Sequence, residues 1–138
     1  RSLQFTGVSV GNPHCVIFKQ PGEAWTREDL LTLGPALENH SLFPKRTNVQ
    51  LAVPTGPKDI FILIWERGAG ETQASGSSSC AAASAAVRLG LVKGPVTVKM
   101  PGGTLNIEVA QDFSLTMKGP VAEVARGALS PSFVRGLK

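Results

Sequence analysis

The segment richest in reactive side chains runs from Trp65 to Cys80 and reads WERGAGETQASGSSSC. It places an acidic and a basic side chain together, Glu66 and Arg67, and continues into a loop of small and hydroxyl-bearing residues. Backbone N–H groups in the first turn of a helix lack intrahelical partners, and the helix dipole adds partial positive charge there. A carboxylate or phosphate is favoured at such a place. The segment therefore predicts an anion-binding loop that opens a helix.

An alanine-rich run supplies the helix that this loop would open. Residues 80–89 combine high helix propensity with small side chains. A helix that is apolar nearly all round is more often enclosed than exposed. We expect Gly76 and the three following serines to form the loop before it, and Gly90 to end it. Taken alone, these residues also fit a serine-rich loop before an ordinary core helix.

Composition favours one domain with its own core, spanning residues 1–138. The net charge is +4 and the pI is about 9.4, but the basic residues are scattered and only 6% of residues are aromatic. A nucleic-acid surface would need clustered cations with interleaved aromatic side chains. No apolar run approaches the ~18 residues that a membrane span requires. We therefore expect neither nucleic acid nor membrane as partners, whereas a small anionic substrate suits the charge.

The cysteines and the first residues of the chain indicate its cellular compartment and whether it is part of a longer protein. Cys15 and Cys80 make a weak case for a disulfide, because nothing at the N-terminus resembles a secretory signal. A reduced, cytoplasmic protein is the expectation. The chain starts at Arg1 and enters strand-like sequence at once, so we expect a fragment or an excised domain.

Strand patterns dominate the remaining sequence. Strands are predicted at 3–10, 14–18, 47–53, 58–66, 96–100, 104–110 and 113–118. A helix is predicted from Thr26 to Gly34, where Pro35 follows, and a second short helical turn from Pro35 to Asn39. About seven or eight strands around one helix that is apolar on all sides predict an α+β domain. Its curved mixed or antiparallel sheet would wrap around the central buried helix.

Motifs spread over the chain resemble the C-terminal half of diaminopimelate epimerase. They are GNPHCV from Gly11, FPKRTNV from Phe43, ERGAGETQA from Glu66 and MPGG from Met100. The resemblance covers essentially the whole chain but only one of the two lobes of the enzyme. It implies that an N-terminal lobe is absent from this chain, and that each lobe is a sheet wrapped around a central helix with the substrate between the lobes.

The same resemblance implies a cofactor-independent isomerase. Family members invert the α-carbon of LL-diaminopimelate to give the meso isomer, in lysine biosynthesis, with neither pyridoxal phosphate nor a metal. One cysteine from each lobe acts as acid and base. The implied partners are an amino-acid substrate and either the N-terminal lobe or a second copy of the chain. An isolated lobe would expose its substrate-facing side and is expected to associate through it.

Residues that bind substrate are carried over from these motifs. The substrate-binding residues implied are Asn12, Asn48, Glu66, Arg67, Gly76 and Ser77. The two asparagines would hydrogen-bond amino-acid groups of the substrate, and the charged pair would contact its amine and carboxylate. Backbone N–H groups of Gly76 and Ser77 would bind the α-carboxylate.

Ser75, Glu66 and His14 are the catalytic residues that the resemblance implies. His14 would tune the cysteine of the other lobe, and Glu66 would tune the residue at position 75. The family has cysteine where this chain has Ser75. A thiol with a pKa of ~8.5, lowered by a helix N-terminus, gives thiolate near neutral pH, whereas an unassisted serine hydroxyl ionises far too weakly. We therefore expect this lobe to be catalytically incomplete, with Cys80 as a packing residue.

Alternatives to this hypothesis remain open on the sequence. Ser75 would fit an engineered inactivating substitution, a natural variant with altered chemistry, or a non-catalytic homologue. The corresponding functions are a non-catalytic amino-acid-binding or interaction domain and a related racemase or dehydratase that acts on another amino acid. Taken singly, His14 and the Glu66–Arg67 pair would each be ordinary surface residues, and Trp25 and Trp65 are expected in the core.

Overall fold

Eight strands and three helices occur in residues 2–137, the part of the chain that the computed structural model describes. The strands are β1 (Thr6–Ser9), β2 (Pro13–Phe18), β3 (Asn48–Gly56), β4 (Asp59–Glu66), β5 (Gly70–Thr72), β6 (Val96–Met100), β7 (Gly103–Val109) and β8 (Leu115–Lys118). The helices are α1 (Arg27–Glu38), α2 (Gly76–Arg88) and α3 (Pro131–Gly136).

All eight strands belong to one mixed sheet in the order β1-β2-β3-β4-β6-β7-β8, with β5 paired to β4. Two pairs are parallel, β2 with β3 and β4 with β6. Each parallel pair is joined by a crossover that contains a helix, α1 in the first case and α2 in the second. The sheet curls around α2, which contacts β1, β2, β3, β4, β6, β7 and β8. The predicted α+β sheet wrapped around a central helix is confirmed.

Alternation along the central strands sorts their side chains between two faces, as the period of a strand requires. On β3, Gln50 and Ala52 face α2, whereas Val49 and Leu51 belong to the core beneath α1. The same alternation places His14 on the α2 side of β2 and Cys15 on the α1 side. Polar residues at alternate positions therefore converge on the helix that the sheet encloses.

Small side chains allow the sheet to close around α2. Its fully buried alanines are Ala81, Ala82, Ala83, Ala85 and Ala86. The predicted start of this helix at Cys80 is wrong, because α2 begins at Gly76 and its N-cap is Ser75. The serines that disfavour a helix interior fit its first turn, where a hydroxyl satisfies a free backbone N–H.

The prediction that the first helix stops at Gly34-Pro35 is also wrong, since α1 continues through both residues to Glu38. Its predicted start is confirmed by a capping box between Thr26 and Asp29. A Cβ at Gly34 would lie 2.5 Å from Cδ2 of Trp65, so glycine lets the helix approach this indole closely. The stabilisation gained when α1 packs against β4 thus exceeds the cost of the backbone hydrogen bond that a proline removes from a helix interior.

Other differences are smaller. β1 covers only part of the predicted strand at 3–10, and β5 and α3 are elements that the sequence pattern did not predict. Trp25 lies in the core as predicted and donates from Nε1 to the Ala52 carbonyl oxygen at 2.8 Å. Over the described residues, no helix is long and apolar enough to cross a membrane.

Candidate functional site

The predicted site residues gather at one edge of the sheet. The parallel strands β2 and β3 both begin at this edge, and the antiparallel strand β4 ends there. His14 pairs in register with Asn48, while Trp65 pairs with Val49. Sheet topology therefore brings the ends of three strands, separated along the chain, to one place.

Asn48 holds two of these strand ends together. Its side-chain Nδ2 donates to the Pro13 carbonyl oxygen at 2.9 Å, and its Oδ1 accepts from the backbone N–H of Arg67 at 2.8 Å. The residue is only 7% exposed. Asn48 thereby fixes the distance between the GNPH segment and the Glu66–Arg67 pair. Its predicted contact with substrate stays a prediction.

A buried hydrogen-bond chain runs from the sheet edge to the first turn of α2. Nε2 of His14 lies 3.1 Å from Oδ1 of Asn12, and Nδ1 of His14 lies 2.9 Å from Nε2 of Gln50. The same Gln50 nitrogen lies 2.9 Å from Oγ of Ser78. The backbone N–H of Ser78 in turn donates to Oγ of Ser75 at 3.2 Å. Asn12 and Ser75 are therefore connected through three intervening residues, and the last link uses the backbone N–H of Ser78.

Its buried position favours the neutral form of His14. Burial lowers the pKa of its imidazole below the ordinary value of 6.5, and the nearby positive charge of Arg67 acts in the same direction. A hydrogen bond to Gln50 opposes this shift only if the amide oxygen faces the ring. A neutral imidazole presents one donor and one acceptor, so its neighbours decide which nitrogen carries the proton.

Gln50 is a candidate site residue that the sequence analysis does not single out, because the pattern at residues 47–53 predicts only a strand there. It is fully buried, in contrast to most glutamines. A usable signal was present: Asn48 and Gln50 are polar residues at alternate positions of an otherwise apolar strand. Such spacing places both on one face.

The turn after β4 is held by Glu38, a second residue that the sequence analysis missed. Its carboxylate accepts from the backbone N–H of Gly68 at 2.8 Å, from Nε1 of Trp65 at 2.8 Å and from Nη1 of Arg46 at 3.0 Å. These donors, led by the Gly68 N–H, lower the pKa of Glu38 below its ordinary value. Gly68 has a φ of 79°, which suits glycine in this turn.

Glu66 and Arg67 occupy different surroundings in that turn. Arg67 donates from Nη1 to the Lys45 carbonyl oxygen at 3.1 Å and lines a cavity of about 350 Å³ together with Asn12. Alternation places Glu66 on the same face of β4 as the core residue Ile64, which is the α2 side. Within residues 2–137 its half-buried carboxylate has no hydrogen-bond or ion-pair partner.

Ser75 lies at the N-cap of α2 with extended backbone, φ −155° and ψ 126°. Its Oγ accepts from Ser78 N–H, and its carbonyl oxygen accepts from Oγ of Ser79 at 2.8 Å. The backbone N–H groups of Gly76 and Ser77 belong to the same first turn and donate to no acceptor in the described chain. Two free N–H groups at a helix start form the arrangement that binds a carboxylate.

The loop before α2 rests on the MPGG turn. Gly102 donates its backbone N–H to the Gln73 carbonyl oxygen at 2.7 Å. A Cβ at Gly102 would lie 2.8 Å from that oxygen, so only glycine fits without displacement. A cavity of about 250 Å³ beside this contact is lined by Ser75, Gly76, Met100 and Thr104 among others.

The structure thus brings Asn12, His14, Asn48 and Arg67 together at the sheet edge and joins them through Gln50 to the start of α2. Ser75, Gly76 and Ser77 lie in that first turn, but Ser75 faces a different cavity from the one beside Asn12. The predicted roles of these residues in binding and catalysis stay predictions.

Neither cysteine is poised for nucleophilic chemistry. Cys15 and Cys80 are both free. Burial raises the pKa of Cys15 to about 12 and also raises the pKa of Cys80. No group of three or more His, Cys, Asp or Glu residues that could hold a metal occurs between residues 2 and 137.

Solved structures define the fold class. A phenazine biosynthesis protein of the PhzF family from Bacillus anthracis aligns with a TM-score of 0.57 at 15% identity, covering 83% of this chain and 38% of that one. A putative phenazine biosynthesis PhzC/PhzF protein from Clostridium difficile aligns with a TM-score of 0.58 at 13% identity, covering 79% and 40%. The architecture is therefore one lobe of the diaminopimelate epimerase-like fold.

Sequence comparisons then give the family. The family model for diaminopimelate epimerase matches residues 6–124. The diaminopimelate epimerase of Desulfitobacterium hafniense is 44% identical over 129 residues, which cover 94% of this chain and 44% of that protein. The enzyme of Rhodospirillum centenum is 46% identical over 129 residues, covering 94% and 43%. The chain belongs to the diaminopimelate epimerase family, and it spans less than half the length of these curated relatives.

Proposed function

We propose that this chain is the substrate-binding C-terminal lobe of a diaminopimelate epimerase-like amino-acid isomerase, and that it is catalytically incomplete by itself. The observation that carries the proposal is the pair of free N–H groups of Gly76 and Ser77 in the first turn of α2, because the buried hydrogen-bond chain connects this turn, at Ser78, to Asn12 at the sheet edge. Together these groups offer donors to the carboxylates of an amino acid that carries two of them, as diaminopimelate does.

Binding follows from the charges of the site. The α-carboxylate lies on the Gly76 and Ser77 N–H groups, where the dipole of α2 favours negative charge. Arg67 lines the neighbouring cavity with Asn12 and offers a guanidinium to an anionic group. Glu66 has a carboxylate without a described partner and supplies the negative charge that an ammonium group requires.

Isomerisation removes the α-proton on one face and returns a proton on the other. Negative charge then grows on the α-carboxylate, and the N–H groups at the start of α2 stabilise it as it develops. The missing component is the base. Ser75 Oγ is a weakly acidic hydroxyl that already accepts a hydrogen bond from Ser78, so it does not replace a thiolate.

A complete enzyme requires a second lobe, contributed by an N-terminal part of the protein or by another copy of the chain. Exposed apolar side chains after β8 support a covering partner, since Val121 is 97% exposed, Val124 95% and Phe133 56%. The activity proposed for the assembled protein uses neither pyridoxal phosphate nor a metal. It belongs to lysine biosynthesis in the cytoplasm.

Binding is tested by titrating the ¹⁵N-labelled chain with LL-diaminopimelate and following backbone amide signals. We expect the largest shifts at Gly76 and Ser77. Arg67→Ala should weaken binding at least tenfold, since a charged hydrogen bond contributes about 1.5–3 kcal/mol. Arg88→Ala removes an exposed arginine at the other end of α2 and should leave binding unchanged. Shifts that avoid the start of α2 would contradict the proposal.

Catalysis is tested by exchange of the α-proton of LL-diaminopimelate in deuterated water. The chain and its Ser75→Cys variant are each mixed with the part of the Desulfitobacterium hafniense relative that this chain does not match. We expect exchange with Ser75→Cys and little with the unchanged chain. Binding without exchange in either mixture would favour the non-catalytic amino-acid-binding domain.

A further inference from the structure

Gln50 occupies a position between the two halves of the candidate site. Its side chain is fully buried between β3 and α2. Its Nε2 lies 2.9 Å from Nδ1 of His14 and 2.9 Å from Oγ of Ser78. Both hydrogens of the amide nitrogen therefore have an acceptor, one on the sheet and one on the helix.

The orientation of this amide follows from the partners around it. With Nε2 facing His14 and Ser78, one acceptor, Oε1 of Gln50, lacks a hydrogen-bond partner among residues 2–137. The opposite orientation would place the oxygen between those partners and leave two buried N–H donors unsatisfied. An unsatisfied carbonyl oxygen is tolerated more readily than unsatisfied donors. The orientation with Nε2 toward the ring is therefore preferred.

That orientation determines the tautomer of His14. A nitrogen that accepts from Gln50 carries no proton, so Nδ1 of the neutral ring is the acceptor and Nε2 bears the hydrogen. Nε2–H then donates to Oδ1 of Asn12, 3.1 Å away. Once Oδ1 faces the ring, the Nδ2 hydrogens of Asn12 remain for the cavity that Asn12 lines together with Arg67.

We propose that Gln50 is a positioning residue that fixes the Nε2–H tautomer of His14 and, through it, the direction of the Asn12 side-chain amide. The side chains of Asn12 and Arg67 then offer hydrogen-bond donors to the cavity that both residues line, which favours an acceptor group such as a carboxylate. This consequence for ligand choice rests on the proposed function, whereas the tautomer itself does not.

The tautomer is measured on the chain alone, without substrate, from the imidazole ¹⁵N signals of labelled histidine. The chain has two histidines, so the signals of the exposed His40, whose Nδ1 accepts from the Leu42 N–H at 3.1 Å, are assigned separately from those of His14. We expect His14 to be protonated at Nε2. Gln50→Met removes the donor at similar size and should lower the Nε2–H to Nδ1–H ratio about fivefold, which corresponds to the net contribution of one hydrogen bond. Gln50→Glu supplies only acceptors and should place a proton on Nδ1.

Ser78→Ala is the matched control, because it removes the other partner of Gln50 and leaves the contact with the ring. It should retain the Nε2–H tautomer. Protonation of His14 at Nδ1 in the unchanged chain, or an unaltered ratio in Gln50→Met, would overturn the proposal. If Gln50→Glu does not fold, those two measurements still decide. If the unchanged chain has the Nε2–H tautomer but does not bind diaminopimelate, the proposed function is contradicted and the tautomer assignment stands.

Discussion

Ser75 Oγ lies 3.2 Å from the backbone nitrogen of Ser78 and accepts its hydrogen bond. Ser75, one of the predicted catalytic residues, is therefore also the N-cap of α2. The Ser75 Oγ atom therefore stabilises the start of α2. It is also connected by hydrogen bonds, through Ser78 and Gln50, to His14 at the sheet edge.

Removing the cap should lower stability without removing the anion site. Ser75→Ala is expected to reduce the free energy of unfolding by about 1 kcal/mol, while the backbone N–H groups of Gly76 and Ser77 remain. Urea denaturation monitored by circular dichroism measures this change. Ser84→Ala, inside the same helix, should be neutral or slightly stabilising because alanine has the higher helix propensity. Equal losses in both variants would contradict the capping role.

A thiol introduced at position 75 should be far more reactive than the native cysteines. In Ser75→Cys the new thiol lies at a helix N-terminus, which lowers a thiol pKa. Burial raises the pKa of Cys15 to about 12 and raises that of Cys80. Alkylation by iodoacetamide across a pH series, read by mass spectrometry, should modify the introduced thiol first and at lower pH. The unchanged chain is the control, and equal labelling rates in the two proteins would refute this expectation.

Glu38 should make stability depend on pH. Its folded-state pKa is held below the ordinary value of 4.5, chiefly by the Gly68 N–H. The resulting stabilisation is complete above pH 4.5 and is lost as pH falls through the lower folded-state pKa. Glu38→Gln should cost about 1–3 kcal/mol at neutral pH and flatten this acidic limb in urea titrations.

The exposed pair of Glu71 with Arg27 provides the comparison for Glu38. Glu71→Gln should change the free energy of unfolding by less than about 1 kcal/mol, because exposed ion pairs contribute little. If the loss of stability at acidic pH persists in Glu38→Gln and disappears in Glu71→Gln, the pH dependence arises from Glu71, and the prediction for Glu38 is wrong.

Gly102 should tolerate no side chain. A Cβ there would lie 2.8 Å from the Gln73 carbonyl oxygen, whose hydrogen bond from Gly102 is 2.7 Å long. Gly102→Ala is expected to cost about 1–3 kcal/mol and to move the amide signals of the loop before Ser75. Gly127→Ala meets no atom within 4 Å and should be neutral in both measurements. Unmoved loop signals in Gly102→Ala would show that the MPGG turn does not position this loop.

Local sequence was sufficient for many of the elements. Apolar and β-branched runs predicted β2, β4 and β6 close to their observed bounds, because a strand with a buried face requires such side chains. The alanine run predicted a buried helix for the same reason. The motifs that resemble the epimerase family also indicated the site residues at the sheet edge.

Propensity failed where a long-range contact outweighed it. The glycine and proline at positions 34 and 35 predicted a helix end, yet α1 continues because Gly34 lets it pack against Trp65. Helix propensity alone predicts a start for α2 that is too late, because serines are poor helix formers, although Ser75 is an effective cap. β5 was missed since its three residues are strand only by pairing with β4.

The sequence by itself determined the fold class, the buried helix and the residue types available for binding an amino acid, because each depends on local pattern and composition. Only the tertiary structure decided the parallel pairing of β2 with β3, which aligns His14 with Asn48. It alone placed Gln50 between His14 and Ser78 and Glu38 beneath the turn after β4. These contacts join residues far apart along the chain, and whether a buried polar group is satisfied depends on the partner that folding brings to it.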